Sequence, residues 1–167
     1  MHGKVAVTAS HAFLDLGIPS LRFNFRGVGK SSRRYDNGRG ETDDVRAAIE
    51  YAADMAEKII VVGHSFGAWV GMKAGCGDER VKTLIGIGTP VGFGDMDFLK
   101  ECVKPKLFIH GTQDALIAIG KIEKLCQGIP EPKKLIRIEG ADHFFTGKLD
   151  ELAEAVRSLT EEYLHKD

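Results

Sequence analysis

One short stretch constrains the fold of this chain more than any other: IIVVGHSFGAWVG, residues 59–71. Four β-favouring apolar residues run directly into Gly-His-Ser-Phe-Gly, and a segment of small and apolar residues follows. A strand that turns sharply into a helix at G-x-S-x-G holds its serine in a strained backbone conformation, so that the hydroxyl projects above the sheet. The pattern predicts such a turn at Ser65, with Gly63 and Gly67 letting the strand and the helix pass close together.

Apolar runs and amphipathic segments alternate along the rest of the chain. The predicted strands are residues 21–25 (LRFNF), 58–62 (KIIVV), 81–88, 105–111 and 133–140. The predicted helices are residues 5–16, 45–56 with a cap at Thr42, Asp43 or Asp44, 120–127 and 149–159. This alternation predicts an α/β fold, a mainly parallel sheet of about five strands with helices on both faces. We expect one domain, residues 1–167, without a cap domain, because the connection from Thr89 to Val103 is short.

Charge, hydropathy and cysteine usage exclude several classes of partner. A formal net charge of −1 offers no electrostatic footprint for nucleic acid or for an acidic membrane. No apolar run approaches the roughly 20 residues that span a bilayer, and the N-terminal stretch lacks the continuous apolar core of a secretory leader. We therefore expect a cytoplasmic protein. The three cysteines form no CxxC pair, so we expect no structural zinc site. We also expect no cofactor, because the serine chemistry predicted below requires none.

A serine nucleophile needs a base, and the base needs an orienting acid. Asp114 follows the predicted strand 105–111, and His143 follows the predicted strand 133–140. Open parallel sheets build their sites at these carboxyl ends. Residue type, chain order and position therefore predict a triad of Ser65, His143 and Asp114, with the backbone N–H of Phe66 as an oxyanion donor. Three apolar residues are candidates for a substrate-lining wall, although core packing explains each equally well: Phe93, Met96 and Phe144.

Several segments resemble a known superfamily. LRFNFRGVGKS, GHSFGAWVG, GTPVGFGDMDF, LFIHGTQD and EGADHFFTGKLDEL are similar, in the same order, to segments of α/β-hydrolases. More narrowly, they resemble small bacterial hydrolases without a cap domain that are related to dienelactone hydrolases. The resemblance covers essentially the whole chain and implies a serine hydrolase whose triad is Ser65, Asp114 and His143. Because dienelactone hydrolases carry cysteine as the nucleophile, Ser65 implies esterase-like cleavage of a small ester or thioester through an acyl-enzyme.

The N-terminus departs from that family pattern. Members usually carry two or three strands before the first helix, the last ending in a His-Pro-His-Pro…Gly-Gly stretch, and Met1–Lys4 resemble only its tail. The resemblance implies that the strand between LRFNF and KIIVV is missing, together with the usual second oxyanion donor. Loss of one such donor lowers turnover by about 10²–10³-fold. We expect a homodimer or larger assembly, or a sheet in which LRFNF pairs directly with KIIVV.

Two other functions remain open at this stage. The first is nucleotide binding through the Gly27–Ser31 loop, because NFRGVGKSS resembles the end of a phosphate-binding loop. However, Asn24 stands where GxxxxGKS requires glycine, and no helix is predicted directly after Lys30. The second is a catalytically silent α/β-hydrolase-like binding or scaffold protein, which the triad residues oppose and the missing N-terminal segment favours.

Overall fold

The computed structural model describes residues 3–164, so the comparison of Met1–Lys4 with a family segment falls partly outside it. Four strands form one sheet in the order β1-β2-β3-β4, and each neighbouring pair is parallel. The strands are β1 (Ile59–His64), β2 (Val81–Ile87), β3 (Lys106–Gly111) and β4 (Lys133–Ile138). The helices are α1 (Lys4–Asp15), α2 (Arg39–Ala53), α3 (Phe66–Cys76), α4 (Ile119–Gln127) and α5 (Leu149–Leu164).

Two apolar cores lie on opposite faces of the sheet. Side chains of β3 alternate between them: Leu107 and Ile109 pack against α1 and α5, whereas Phe108 packs on the side of α2, α3 and α4. This alternation follows from the period of two along a strand. Burial on both faces explains why the strands read as continuous apolar runs in the sequence. The arrangement confirms the predicted α/β fold class, a parallel sheet covered by helices on both faces.

The predicted strand at residues 21–25 does not form. The segment has no regular secondary structure and pairs with none of the described strands, so the sheet has four strands instead of about five. The rings of Phe23 and Phe25 meet edge to face at 5.2 Å and pack against the core beneath α2 and α3. The alternation in LRFNF therefore reflects the partial burial of two rings and not strand pairing, and the expected pairing of LRFNF with β1 is wrong.

The second helix begins earlier than its predicted cap. Gly38 is the N-cap, in the left-handed region with φ 87°. The buried carboxylate of Glu41 accepts the N–H groups of Gly38 and Asp36, each at 2.8 Å. Thr42, one of the predicted caps, instead donates its hydroxyl to the carbonyl of Gly38 inside the first turn. The helix start is therefore stabilised by a glutamate reaching back from the first turn, as in a capping box, and not by a side chain at the cap position.

The Gly27–Ser31 segment forms a closed turn. The Gly27 N–H donates to the Ser32 carbonyl at 3.1 Å, and the Ser31 N–H donates to the Val28 carbonyl at 3.0 Å. No strand precedes this turn and no helix follows it within residues 21–36. Because these amides are bonded within the turn, they do not form the cradle of free N–H groups that a phosphate-binding loop requires. The geometry thus gives no support to the nucleotide-binding alternative.

An ion pair ties this turn to α2. The guanidinium of Arg26 binds the carboxylate of Asp44 at 2.8 Å, and the Arg26 N–H donates to the same carboxylate at 2.9 Å. These hydrogen bonds from Arg26 lower the pKa of Asp44 below its usual range. The pair therefore holds residues 26–32 in place beside the helix.

β1 is an edge strand, and its exposed side leads to a prediction. Among the described strands it pairs with β2 alone, and the residues after Ile59 are only half-buried. Unpaired N–H and C=O groups along an apolar edge are a template for pairing with a second chain. We expect the 167-residue polypeptide to form a dimer or larger assembly, with a mass of at least twice 18.2 kDa by light scattering coupled to chromatography. A single 18.2 kDa species at every concentration tested would contradict this expectation.

Candidate active site

Ser65 occupies a strained turn between β1 and α3. Its backbone lies at φ 52° and ψ −123°, a region that residues with a side chain rarely adopt. The turn is held on both sides, because the Ser65 N–H donates to the Ile87 carbonyl at 2.9 Å and the Ser65 carbonyl accepts the Ala68 N–H at 2.8 Å. The backbone of Ser65 is therefore fixed at the carboxyl end of the sheet.

The two glycines beside Ser65 have different roles. A Cβ atom on Gly63 would lie 2.2 Å from the carbonyl oxygen of Gly67 and 2.3 Å from its carbonyl carbon. A Cβ atom on Gly67 would meet only the ring of Phe25, at an ordinary 3.8 Å. The close approach of strand and helix therefore requires glycine at position 63 alone, which corrects the symmetrical role predicted for Gly63 and Gly67.

The three predicted triad residues meet in a continuous chain of hydrogen bonds. His143 Nε2 lies 2.9 Å from Ser65 Oγ, and His143 Nδ1 lies 2.7 Å from Asp114 Oδ2. Asp114 follows β3, His143 follows β4, and both side chains are buried. A carboxylate accepts only, so Nδ1 carries a proton and, in the neutral ring, Nε2 can accept the hydroxyl proton of Ser65.

The acid is fixed by its own loop. Asp114 Oδ1 accepts the N–H groups of Leu116 at 2.9 Å and Ile117 at 2.8 Å, which leaves Oδ2 for His143. The carbonyl of Ile117 in turn accepts Nε2–H of the buried His110 at 2.8 Å. His110 therefore braces the acid loop from the end of β3.

The base is carried by a tight loop after β4. Asp142 Oδ1 accepts the N–H groups of Phe144 at 3.0 Å and Thr146 at 2.9 Å, and the backbone bond from Thr146 contributes most to lowering the pKa of Asp142. Phe145 is fully buried in the core beneath α1 and α5, with φ 55°. The carboxylate of Asp142 is thus occupied within its own loop, while His143 points toward Ser65.

One residue of the site is not apparent from the sequence. His64, the last residue of β1, places Nε2 2.9 Å from the carbonyl oxygen of His143. Its ring centroid lies 5.0 Å from that of His143. Burial lowers the pKa of His64. The only signal in the sequence is its position directly before Ser65, because the partner is a backbone carbonyl in a distant loop.

The residues predicted to line a wall occupy different places. Phe144 is 61% exposed, and its ring meets that of His143 edge to face at 5.2 Å. Phe93 is 73% exposed on the loop after β2. Met96 is 7% exposed and packs in the core beneath α2 and α3, so its assignment to an open wall is corrected. A further ring that the sequence analysis did not name, the exposed Tyr35, meets Phe66 at 5.7 Å.

Trp69, on α3, packs against the segments that surround the site. A Cβ atom on Gly38 would lie 2.5 Å from its ring, and one on Gly94 would lie 2.4 Å from it. The indole N–H donates to the Asp95 carbonyl at 3.0 Å, and the ring contacts Phe66 at 5.9 Å. Trp69 thus connects the start of α2, the loop after β2 and the first turn of α3.

The first turn of α3 presents the predicted oxyanion donor. Phe66 is the first residue of the helix, and no acceptor within residues 3–164 binds its N–H group. The N-terminus of a helix also carries a partial positive charge. This N–H group is therefore available to a negative oxygen bound next to Ser65.

The described residues include neither a metal-binding cluster nor a membrane-spanning helix. Among residues 3–164, no group of three or more His, Cys, Asp and Glu side chains is placed to hold a metal ion. None of the helices formed by these residues is both long enough and apolar enough to cross a membrane.

The structure is a parallel sheet covered on both faces, with a serine on a strained strand–helix turn. The serine is hydrogen-bonded to a histidine, and the histidine is hydrogen-bonded to an aspartate. This is the arrangement of the α/β-hydrolase fold. Residues 41–153 match the model of the alpha/beta hydrolase family. The chain belongs to this family.

Relatives and solved structures support this placement. An uncharacterized protein of Rickettsia prowazekii is 32% identical over 167 residues, covering 93% of this chain and 70% of the relative. The uncharacterized protein YfhR of Salmonella typhi is 27% identical, covering 89% of this chain and 65% of the relative. An alpha-beta serine hydrolase homologue from Coxiella burnetii is 35% identical with a TM-score of 0.90, covering 95% of this chain and 77% of that one. A serine hydrolase without a lid from Xanthomonas campestris is 32% identical with a TM-score of 0.91, covering 100% and 77%.

Proposed function

We propose that this protein is a serine hydrolase that cleaves small esters or thioesters through an acyl-enzyme on Ser65. The observation that carries the proposal is the hydrogen-bond chain from Ser65 Oγ to His143 at 2.9 Å and from His143 to Asp114 at 2.7 Å. The strained turn at Ser65 adds support, because such strain persists where it positions a reacting group. Two similar structures above 30% identity are described as a serine hydrolase and a serine hydrolase homologue.

The geometry of these groups supports the following acylation steps. Ser65 Oγ attacks the carbonyl carbon of the substrate while His143 Nε2 accepts its proton, and the negative charge of Asp114 stabilises the resulting imidazolium. The substrate oxygen becomes an oxyanion and accepts a hydrogen bond from the Phe66 N–H. The tetrahedral intermediate then collapses, and the departing alcohol or thiol takes the proton from His143 Nε2.

Deacylation repeats these steps with water as the nucleophile. His143 Nε2 accepts a proton from water, whose oxygen attacks the acyl carbonyl, and the same Phe66 N–H stabilises the oxyanion. Ser65 leaves as the hydroxyl, with its proton returned from His143. The products are a carboxylic acid and the alcohol or thiol, and the chain's own residues make every proton transfer.

The surroundings of Ser65 favour a small substrate with an apolar group. Exposed aromatic rings lie on two sides, Tyr35 against Phe66 and Phe144 against His143. Such rings provide apolar contact without enclosing a long chain. We therefore place short acyl esters ahead of long-chain lipids as substrates.

Covalent labelling tests the nucleophile directly. We expect a fluorophosphonate to add one phosphonyl group to the wild-type protein, with Ser65 Oγ displacing fluoride, as measured by intact mass. Ser65→Ala should remain unlabelled and should lose p-nitrophenyl acetate hydrolysis. Ser158→Ala, a change at an exposed serine on α5, should behave as wild type. A folded wild-type sample that takes no adduct and releases no p-nitrophenol would favour the catalytically silent binding or scaffold alternative.

A further inference from the structure

His64 makes a contact that the reaction steps do not use. It ends β1, its ring is half-buried, and its Nε2 lies 2.9 Å from the carbonyl oxygen of His143. A carbonyl oxygen only accepts hydrogen bonds, so Nε2 is the protonated nitrogen and His64 is the donor. The side chain thus connects the end of the strand that carries the nucleophile with the loop that carries the base.

This hydrogen bond adds a second anchor to the base loop, at the peptide unit that joins His143 to Phe144. The cap by Asp142 holds the N–H groups of Phe144 and Thr146, and Phe145 anchors the loop in the core. Both devices act on the chain after His143. His64 binds the opposite end of a peptide unit that Asp142 also holds, because the His143 carbonyl and the Phe144 N–H lie in one planar peptide group. The two hydrogen bonds together fix the peptide plane that follows the Cα atom of His143, the atom from which the imidazole extends toward Ser65.

His64 is also suited to lie beside His143, because its ring is neutral and His143 becomes charged during attack. The two imidazole centroids are 5.0 Å apart, with the planes inclined by 40°. Burial is the main cause that lowers the pKa of His64, and the nearby charge of His143 lowers it further. The hydrogen bond to the His143 carbonyl and the charge of Asp114 raise this pKa, but the net shift is downward. A neutral His64 does not oppose the imidazolium that forms on His143 during attack.

We propose that His64 is a positioning residue, which sets the distance between Ser65 Oγ and His143 Nε2 by donating a hydrogen bond to the His143 carbonyl. The proposal rests on the hydrolase function proposed above. It assigns to His64 no contact with the substrate. Its effect on the rate comes from alignment, and a misplacement of about 1 Å can cost about 10²-fold in turnover.

Two substitutions at His64 distinguish the loss of the hydrogen-bond donor from the loss of the aromatic ring. His64→Phe keeps an aromatic ring of similar size and removes the donor, whereas His64→Gln places an amide N–H near the position of Nε2 and removes the ring. We expect His64→Phe to lower kcat for p-nitrophenyl acetate by about 10–100-fold with KM nearly unchanged, and His64→Gln to keep most of the activity. His11→Gln, a change at an exposed histidine of α1, is the matched control. If His64→Phe does not fold, His64→Met replaces it as the variant without a donor.

An NMR signal can report the position of His143 independently of an activity measurement. The proton on His143 Nδ1, shared with Asp114 at 2.7 Å, should give a downfield NMR resonance. We expect this resonance to shift in His64→Phe and to stay near its wild-type position in His64→Gln. The proposal is wrong if His64→Phe has wild-type kcat and an unmoved resonance, or if both variants lose equal activity while the resonance stays in place. A wild-type protein that takes no fluorophosphonate would refute the hydrolase function, yet the resonance would still test the positioning role.

Discussion

Asp114→Asn is expected to slow acylation of Ser65 by about 10⁴-fold while the fold is retained. The amide oxygen can still accept the N–H groups of Leu116 and Ile117, so the loop keeps its hydrogen bonds. The amide NH₂ would then face His143 Nδ1, which must become an acceptor. The proton of the ring moves to Nε2, where it blocks proton transfer from Ser65. Rates of fluorophosphonate labelling and of p-nitrophenyl acetate hydrolysis measure this loss.

Asp142→Asn is the matched control for that substitution. Asp142 lies directly before the base, but its Oδ1 binds the N–H groups of Phe144 and Thr146, and an amide oxygen can accept both. We expect nearly wild-type rates. If Asp142→Asn abolished activity and Asp114→Asn had little effect, Asp142 and not Asp114 would be the acid, and the mechanism proposed here would be wrong.

Gly63→Ala is expected to destabilise the protein by about 3 kcal/mol, the upper end of the usual cost of overpacking, because an overlap that side chains cannot relieve must move the backbone. The new methyl group would overlap the carbonyl of Gly67 and approach the Ala68 nitrogen to 2.4 Å, so the turn at Ser65 would have to open. We expect a lower urea midpoint or no soluble folded protein, together with loss of labelling at Ser65.

Gly67→Ala provides the comparison within the same motif. Its methyl group would meet only the Phe25 ring at 3.8 Å, and alanine is favoured over glycine in a helix by about 1 kcal/mol. The urea midpoint should therefore stay the same or rise. Equal destabilisation by the two substitutions would show that the close approach at Gly63 does not govern the stability of the turn.

The strands of the sheet could be predicted because each buried parallel strand is a short apolar run between helical segments. LRFNF has the alternation of a strand, yet it forms none, because none of the described strands lies beside it and its two rings are partly buried against the core. The start of α2 was also missed. Its cap is a glycine, and the residue that stabilises it, Glu41, lies inside the helix.

The candidate triad could be predicted because its members are defined by chain order and by strand ends, which parallel topology brings together. The roles of other residues depend on where their side chains point. Met96 lies only three positions after the exposed Phe93 in the sequence, but its side chain packs in the core. His64 binds the backbone carbonyl of a residue 79 positions away. Because every residue has a backbone carbonyl, the sequence does not indicate which one His64 binds.

The packing of Trp69 gives the protein a built-in optical probe. It is the one tryptophan in the sequence, and its indole lies between Gly38 and Gly94 beside the helix that begins after Ser65. With excitation selective for tryptophan, the fluorescence emission therefore reports on the surroundings of this one ring, which contacts Phe66 in the first turn of α3. Opening of the turn, acylation of Ser65 or release of the loop at Asp95 would each change the polarity around this one ring, so that a single emission spectrum can follow them in solution without an attached dye.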